Sequence, residues 1–175
     1  MNADPFWRAL SPVLKEEGGL SLDRHDKGNW TGGRVGVGAL KGTKYGIAAS
    51  SYPDLDIRHL TVEQAGAIYR KDYWMAADCG TLPAGVDLVI FDTAVNSGVG
   101  RARKFRDATA AIASPVARIK AVSERRRAFY QGLDAFARYG RAWLGRVARI
   151  EALAVRMALE PVHEPVVADA KLHPS

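Results

Sequence analysis

Residues 5–19, Pro-Phe-Trp-Arg-Ala-Leu-Ser-Pro-Val-Leu-Lys-Glu-Glu-Gly-Gly, decide how the chain is read. Phe6, Leu10, Val13 and Leu14 recur at the three- and four-residue spacing of one helical face, with Asn2 or Asp4 as candidate N-cap and Pro5 in the first turn. Gly18-Gly19 stops the helix, so Glu17 stands at its end. Beyond it, nine glycines between residues 18 and 46, interleaved with Trp30, Val35 and Val37, read as turns and short extended segments, a small glycine-rich β-hairpin or loop region.

Downstream the pattern is helical. Thr61-Val-Glu-Gln64 is a capping box opening a helix that runs toward Trp74. An apolar helix is expected from about Ala84 to Asn96, ended by Ser97-Gly98, then a basic helix to about Ala113, and a further one started by Pro115. Phe129, Leu133, Phe136, Trp143, Val147, Ile150, Ala154 and Met157 form one apolar stripe, with Gly140 as the expected break. The reading is a mainly α fold in three parts: a domain at 1–112, a helical region at 113–160 and a mobile tail at 161–175.

Composition narrows the classes. A chain of 175 residues with 47% hydrophobic and 25% charged residues is one soluble globular domain with a small appendage. A lone cysteine, Cys79, excludes an internal disulfide and a thiolate zinc site, and burial is its expected state. The four histidines are scattered and no His-Glu-x-x-His is present, so neither a metal site nor a cofactor is expected. No apolar run is long enough to span a bilayer. The N-terminal residues are acidic where a signal peptide is basic, so synthesis in the cytoplasm without a cleavable signal is expected.

The net charge of +6 is uneven, because residues 101–160 carry 14 Lys/Arg against 5 Asp/Glu, a net +9. A polyanionic partner fits that asymmetry, as does a solvated helical face. Nucleic acid is not expected, since no helix-turn-helix or aromatic-basic platform accompanies the charge.

Two carboxylates offer chemistry: Glu17 at a helix end and Asp26 in a glycine-bounded loop eight intervening residues later. Glycoside cleavage divides its work between a protonated carboxyl and an ionised one. Glu16, Asp23 and Asp26 fit equally well as solvated surface charges. Trp30 is the better candidate sugar platform, while Tyr69, Tyr73 and Trp74 suit either core or platform. Asp92 and Asn96 share a helix face, as a hydrogen-bonded pair or as substrate contacts.

The strings Leu14-Lys-Glu-Glu-Gly-Gly-Leu20, Thr43-Lys-Tyr-Gly-Ile47, Ile68-Tyr-Arg-Lys-Asp-Tyr-Trp74 and Phe91-Asp-Thr-Ala-Val-Asn-Ser-Gly98 resemble glycoside hydrolase family 108, over about residues 5–110. That family comprises peptidoglycan-cleaving N-acetylmuramidases, many of them phage or prophage endolysins. The resemblance implies a lysozyme-like helical fold with Glu17 as the catalytic acid and Glu16 as a bystander. Asp26 and Thr43 follow by similarity to phage-type lysozymes, although the insertion from Lys27 to Lys41 departs from their short linkage, and Leu20 replaces the usual aromatic. Trp30, Tyr45, Tyr73 and Asn96 are the expected substrate contacts. Ser123-Glu-Arg-Arg-Arg-Ala-Phe-Tyr130 and Phe136–Val147 resemble the helical region predicted to bind peptidoglycan that commonly follows such domains, which makes Arg125, Arg126 and Arg127 candidate wall contacts.

The implied protein is a monomeric endolysin that reaches bacterial peptidoglycan in the periplasm or at the cell wall, through a holin-type pore and with no stable membrane insertion. The alternative is a domain of reduced activity serving as a peptidoglycan-binding scaffold.

Overall fold

Helix α1 (Pro5–Glu17) forms where the periodicity places it and buries Phe6, Ala9, Leu10, Val13 and Leu14. Asp4 is its N-cap, accepting from the Phe6 N–H at 3.0 Å. Gly18 ends it at φ +80°, a backbone setting that side chains disfavour, and so fixes where Glu17 projects. The computed structural model describes residues 4–160; Asn2 and the expected tail at 161–175 lie outside the described residues.

The glycine-rich region folds as an irregular arm and a minimal hairpin. A 3₁₀ turn at Lys27–Asn29 leads into a Trp30–Leu40 bridge, and Ser21 bridges Thr43. Strands β1 (Thr43–Lys44) and β2 (Ile47–Ala48) pair antiparallel, Thr43 opposite Ala48 and Lys44 opposite Ile47. Both turn residues between them, Tyr45 and Gly46, have positive φ, the condition a tight two-residue hairpin imposes.

Helix α2 (Val62–Tyr69) carries the expected capping box, with Gln64 N–H donating to Thr61 Oγ1 at 3.2 Å and Thr61 N–H to Gln64 Oε1 at 2.9 Å. It runs on into one wide π turn, Arg70–Met75, which keeps Tyr69, Tyr73 and Trp74 turned inward against the fold. Helix α3 (Val86–Ser97) is the centre, with every residue from Val86 to Ala94 buried. A helix buried on all sides must be covered on all sides, and its charged Asp87 and Asp92 are enclosed with the apolar residues. Helix α1, α4 (Val99–Ala108), α5 (Pro115–Gln131) and α6 (Phe136–Leu159) supply the cover.

One continuous core joins Phe6 and Leu10 of α1, Phe91 of α3, Ile119 of α5, and Ile150 and Ala154 of α6, across the boundary expected at 112/113. The break in the last helical stretch falls at Gly132–Ala135 rather than at Gly140. Gly140 is buried under the Phe136 ring, where a Cβ would lie 2.5 Å from Phe136 Cε2, so it serves close packing within α6.

Docking of α6 on α3 depends on Gly85, at φ +82°, where a Cβ would sit 2.2 Å from the Ala154 carbonyl oxygen. Gly98 has a similar φ of +88° with nothing within 4 Å. Gly98→Ala should therefore cost about 1–3 kcal/mol of backbone strain, and Gly85→Ala clearly more, because α6 must also move. Urea unfolding of the two variants measures this, and equal losses would contradict the close approach.

Candidate active site

Glu17 leaves the end of α1 with its side chain 20% exposed and meets three elements. Arg146 of α6 donates from Nη2 to Glu17 Oε1 at 2.7 Å. Glu17 Oε2 lies over the hairpin turn, where a Cβ on Gly46 would come within 2.8 Å of both that oxygen and the Tyr69 hydroxyl. Gly46 is thus required twice, by its φ of +72° and by the approach of the carboxylate. The Tyr69 hydroxyl donates to the Tyr45 carbonyl at 2.7 Å, tying α2 to the same turn. Burial pushes the Tyr69 phenol well above its ordinary range, and the nearby Glu17 carboxylate adds to this.

Arg146 is itself held from below. Its Nη2 and Nε donate to Asp92 Oδ1 at 2.7 and 3.0 Å, and Arg126 of α5 donates to Asp92 Oδ2 at 2.6 Å. Asp92 is fully buried and Arg126 is 1% exposed. Burial opposes the charge on Arg146, but the Asp92 and Glu17 carboxylates outweigh it and raise its pKa further. The result is a chain of alternating charges, Glu17–Arg146–Asp92–Arg126, running from the site into the core. One turn along α6, Arg149 holds Glu16 with two bonds of 2.8 and 2.7 Å, and this side-chain hydrogen bonding depresses the Glu16 carboxyl pKa.

Asp26 is exposed, and its Oδ1 caps the 3₁₀ turn by accepting from Gly28 N–H at 2.8 Å. Thr43, on β1, donates its hydroxyl to Asn29 Oδ1 at 2.7 Å. Asn29 is fully buried, and its amide also reaches the Asp23 carbonyl at 2.9 Å, so it pins the strand of Thr43 to the loop that carries Asp26. Sequence reasoning passed over Asn29, Gly46, Asp92 as an ion-pair partner and Arg146. Asn29 follows the 27–28 turn like any loop amide, and the partners of the other three lie far away in sequence.

Among the expected substrate contacts, Trp30 is partly buried with its indole N–H donating to the Arg24 carbonyl at 3.0 Å. Tyr73 and Tyr69 line a notch of about 120 Å³ beside Gly46 and Ile47. Tyr45 lines a larger apolar groove of about 440 Å³ with Trp7, Leu14, Gly19 and Val62, which does not include the Glu17 side chain. Asn96 is exposed on α3 and accepts from the Tyr130 hydroxyl rather than pairing with Asp92.

The arginine triplet does not act as one surface. Arg125 is exposed and reaches the Ala121 and Ala108 carbonyls at 3.3 and 3.4 Å. Arg127 bridges Glu124 and Glu151. Arg126 corrects the expectation of a wall contact: α5 turns it inward in phase with buried Val122 and Tyr130, and Asp92 takes its charge. Cys79 is buried, and burial pushes its thiol pKa far up, which suits an inert side chain. Among the described residues no three His, Cys, Asp or Glu side chains form a group that could hold a metal ion.

Arg146→Met removes the charge shared by Glu17 and Asp92 and should cost about 3–5 kcal/mol, read as a fall of roughly 6–20 °C in melting temperature for a chain of this size. Arg149→Met, whose guanidinium is largely in solvent, should leave the melting temperature nearly unchanged. Thermal melts of both test the inequality, and similar falls would refute the buried chain of charges.

The geometry is that of a carboxyl fixed at a helix end beside an aromatic-lined notch, with a second carboxylate in the neighbouring loop. Comparison with known proteins agrees with that chemistry. The sequence profile described as Glycosyl hydrolase 108 matches residues 10–98. Among solved structures, one titled "Structure of Brucella abortus SagA" is similar at 25% identity and a TM-score of 0.70, over 89% of this chain and 96% of that one. No curated protein matches significantly. The chain therefore has the expected mainly α, lysozyme-like fold, belongs to glycosyl hydrolase family 108 and is a peptidoglycan hydrolase.

Proposed function

We propose that the protein is an N-acetylmuramidase that hydrolyses the β-1,4 bond between N-acetylmuramic acid and N-acetylglucosamine. The observation carrying this reading is Glu17, fixed between Arg146 and the Tyr45-Gly46 turn at the end of α1. In this mechanism Glu17 gives its proton to the glycosidic oxygen as the bond breaks. Asp26, ionised in the neighbouring loop, takes the proton of the attacking water as its oxygen bonds to the anomeric carbon, and Thr43 orients that water, the division of labour of an inverting enzyme. Glu17 Oε1 is held by Arg146, so Oε2, over Gly46, is the oxygen best placed to face substrate. Trp30 and Tyr73 contribute sugar contacts on the arm and the notch wall. No cofactor takes part in these steps.

A phage-type lytic role fits the reading: a monomer made in the cytoplasm, released through a holin-type pore and acting on the wall. Exposed cations such as Arg125 and Lys104 give the helices a surface that dwells on anionic wall material.

Digestion of purified peptidoglycan followed by mass analysis of the new reducing ends tests the assignment. Muramic acid at those ends is the expected result, and glucosamine ends or released peptides would overturn it. Glu17→Gln keeps the shape and removes the transferable proton, so turnover should fall at least about a hundredfold. Glu16→Gln, which alters an outer ion pair, should leave most activity.

A further inference from the structure

Helix α6 carries one stripe, Tyr139, Trp143, Arg146 and Ile150, at spacings of four, three and four. Ile150 is buried in the core and Arg146 holds Glu17, so the stripe passes from the core to the catalytic carboxylate and then continues outward. Trp143 lies about 4.5 Å and Tyr139 about 10.5 Å farther along the helix axis. Trp143 is partly exposed and Tyr139 is 44% exposed. Their ring centroids are 5.7 Å apart.

The ledge is built rather than incidental. Tyr130 of α5 stacks against Trp143 at 5.2 Å and 29°, and is itself 3% exposed. Its hydroxyl meets Ser97 Oγ at 2.8 Å and donates to Asn96 Oδ1, which fixes the ring behind Trp143 and the exposed Asn96 amide with it. The Asn96 amide nitrogen, the Trp143 indole N–H and the Tyr139 hydroxyl bond to no other described residue. Aromatic faces backed by packing beside unengaged donors suit a pyranose ring, which offers an apolar C–H face and a polar rim with an acetamido group. Because the backing is prearranged, little ordering remains to oppose binding.

We propose that Tyr139 and Trp143 of α6, with Asn96 of α3, form a subsite for an N-acetylhexosamine of the glycan strand, adjoining the bond that Glu17 cleaves. This rests on the muramidase reading and adds that the C-terminal helices contact substrate within the cleft through aromatic faces. The Glu17–Arg146 bond ties the stripe to the carboxylate, Trp143 lying three residues along α6 from Arg146 and Asn96 four along α3 from its partner Asp92.

Soluble glycan oligomers of alternating N-acetylglucosamine and N-acetylmuramic acid are the probe. In the active enzyme, Tyr139→Ala and Trp143→Ala should each raise KM about tenfold, about 1.4 kcal/mol of lost contact, while kcat stays within about twofold. In the Glu17→Gln background the same changes should weaken oligomer binding, measured calorimetrically, by the same factor, with Trp143→Phe intermediate. Tyr139 is exposed, so its variant keeps the parent melting temperature and remains informative if Trp143→Ala unfolds. Unchanged KM and affinity in Tyr139→Ala, or oligomers that fail to bind the Glu17→Gln protein, would overturn the subsite. Full activity of Glu17→Gln would instead overturn the muramidase reading.

Discussion

Asp92 is the constraint on which the other elements depend. It sits fully buried on the central helix with Arg126 on one oxygen and Arg146 on the other. A carboxylate without water is costly unless opposite charge and hydrogen bonds replace the lost hydration. Two guanidiniums on two different helices do so here, and each fixes the rotation and register of its helix against α3. Arg146 then has one direction left for its remaining charge, and Glu17 occupies it. The position of the Glu17 carboxylate is thus set from the core outward, through a chain of paired charges, as well as from α1 itself.

The second half of the chain consequently has two surfaces with different work. Its inner face, with Ile119, Val122, Ile150 and Ala154, belongs to the same core as α1 and α3. Its outer face keeps exposed cations such as Arg125 and Arg141. The Glu16–Arg149 and Glu17–Arg146 pairs lie between these faces, joining neighbouring glutamates of α1 to arginines three residues apart on α6. The two glutamates are similarly enclosed, but the Arg149 side chain is 61% exposed and the Arg146 side chain 10%, so closely similar contacts differ in what they contribute.

Much of this was legible in the sequence where the controlling forces are local. Asp4 and Gly18 bound α1, the Thr61–Gln64 box opens α2, Pro115 opens α5, and the apolar stretch Leu88–Phe91 announces the covered helix α3. What could not be read from spacing is long-range. Arg146 lies 54 residues from Asp92 and 129 from Glu17. Three consecutive arginines look alike by composition, yet helical phase separates them: Ile119, Val122, Arg126 and Tyr130 form the buried stripe of α5, which Phe129 does not join. Gly140 reads locally as a break, and only the Phe136 ring lying against it shows that it is a packing position.

We infer that α5 and α6 fold as one unit with residues 1–112, because they share its core and hold Asp92. Thermal unfolding of a chain ending at residue 112, followed by circular dichroism beside the full chain, tests this most directly. Loss of the core contacts and of both partners of Asp92 predicts no cooperative transition for the shortened chain where the full chain shows one. A cooperative transition near the full chain's melting temperature would contradict the claim.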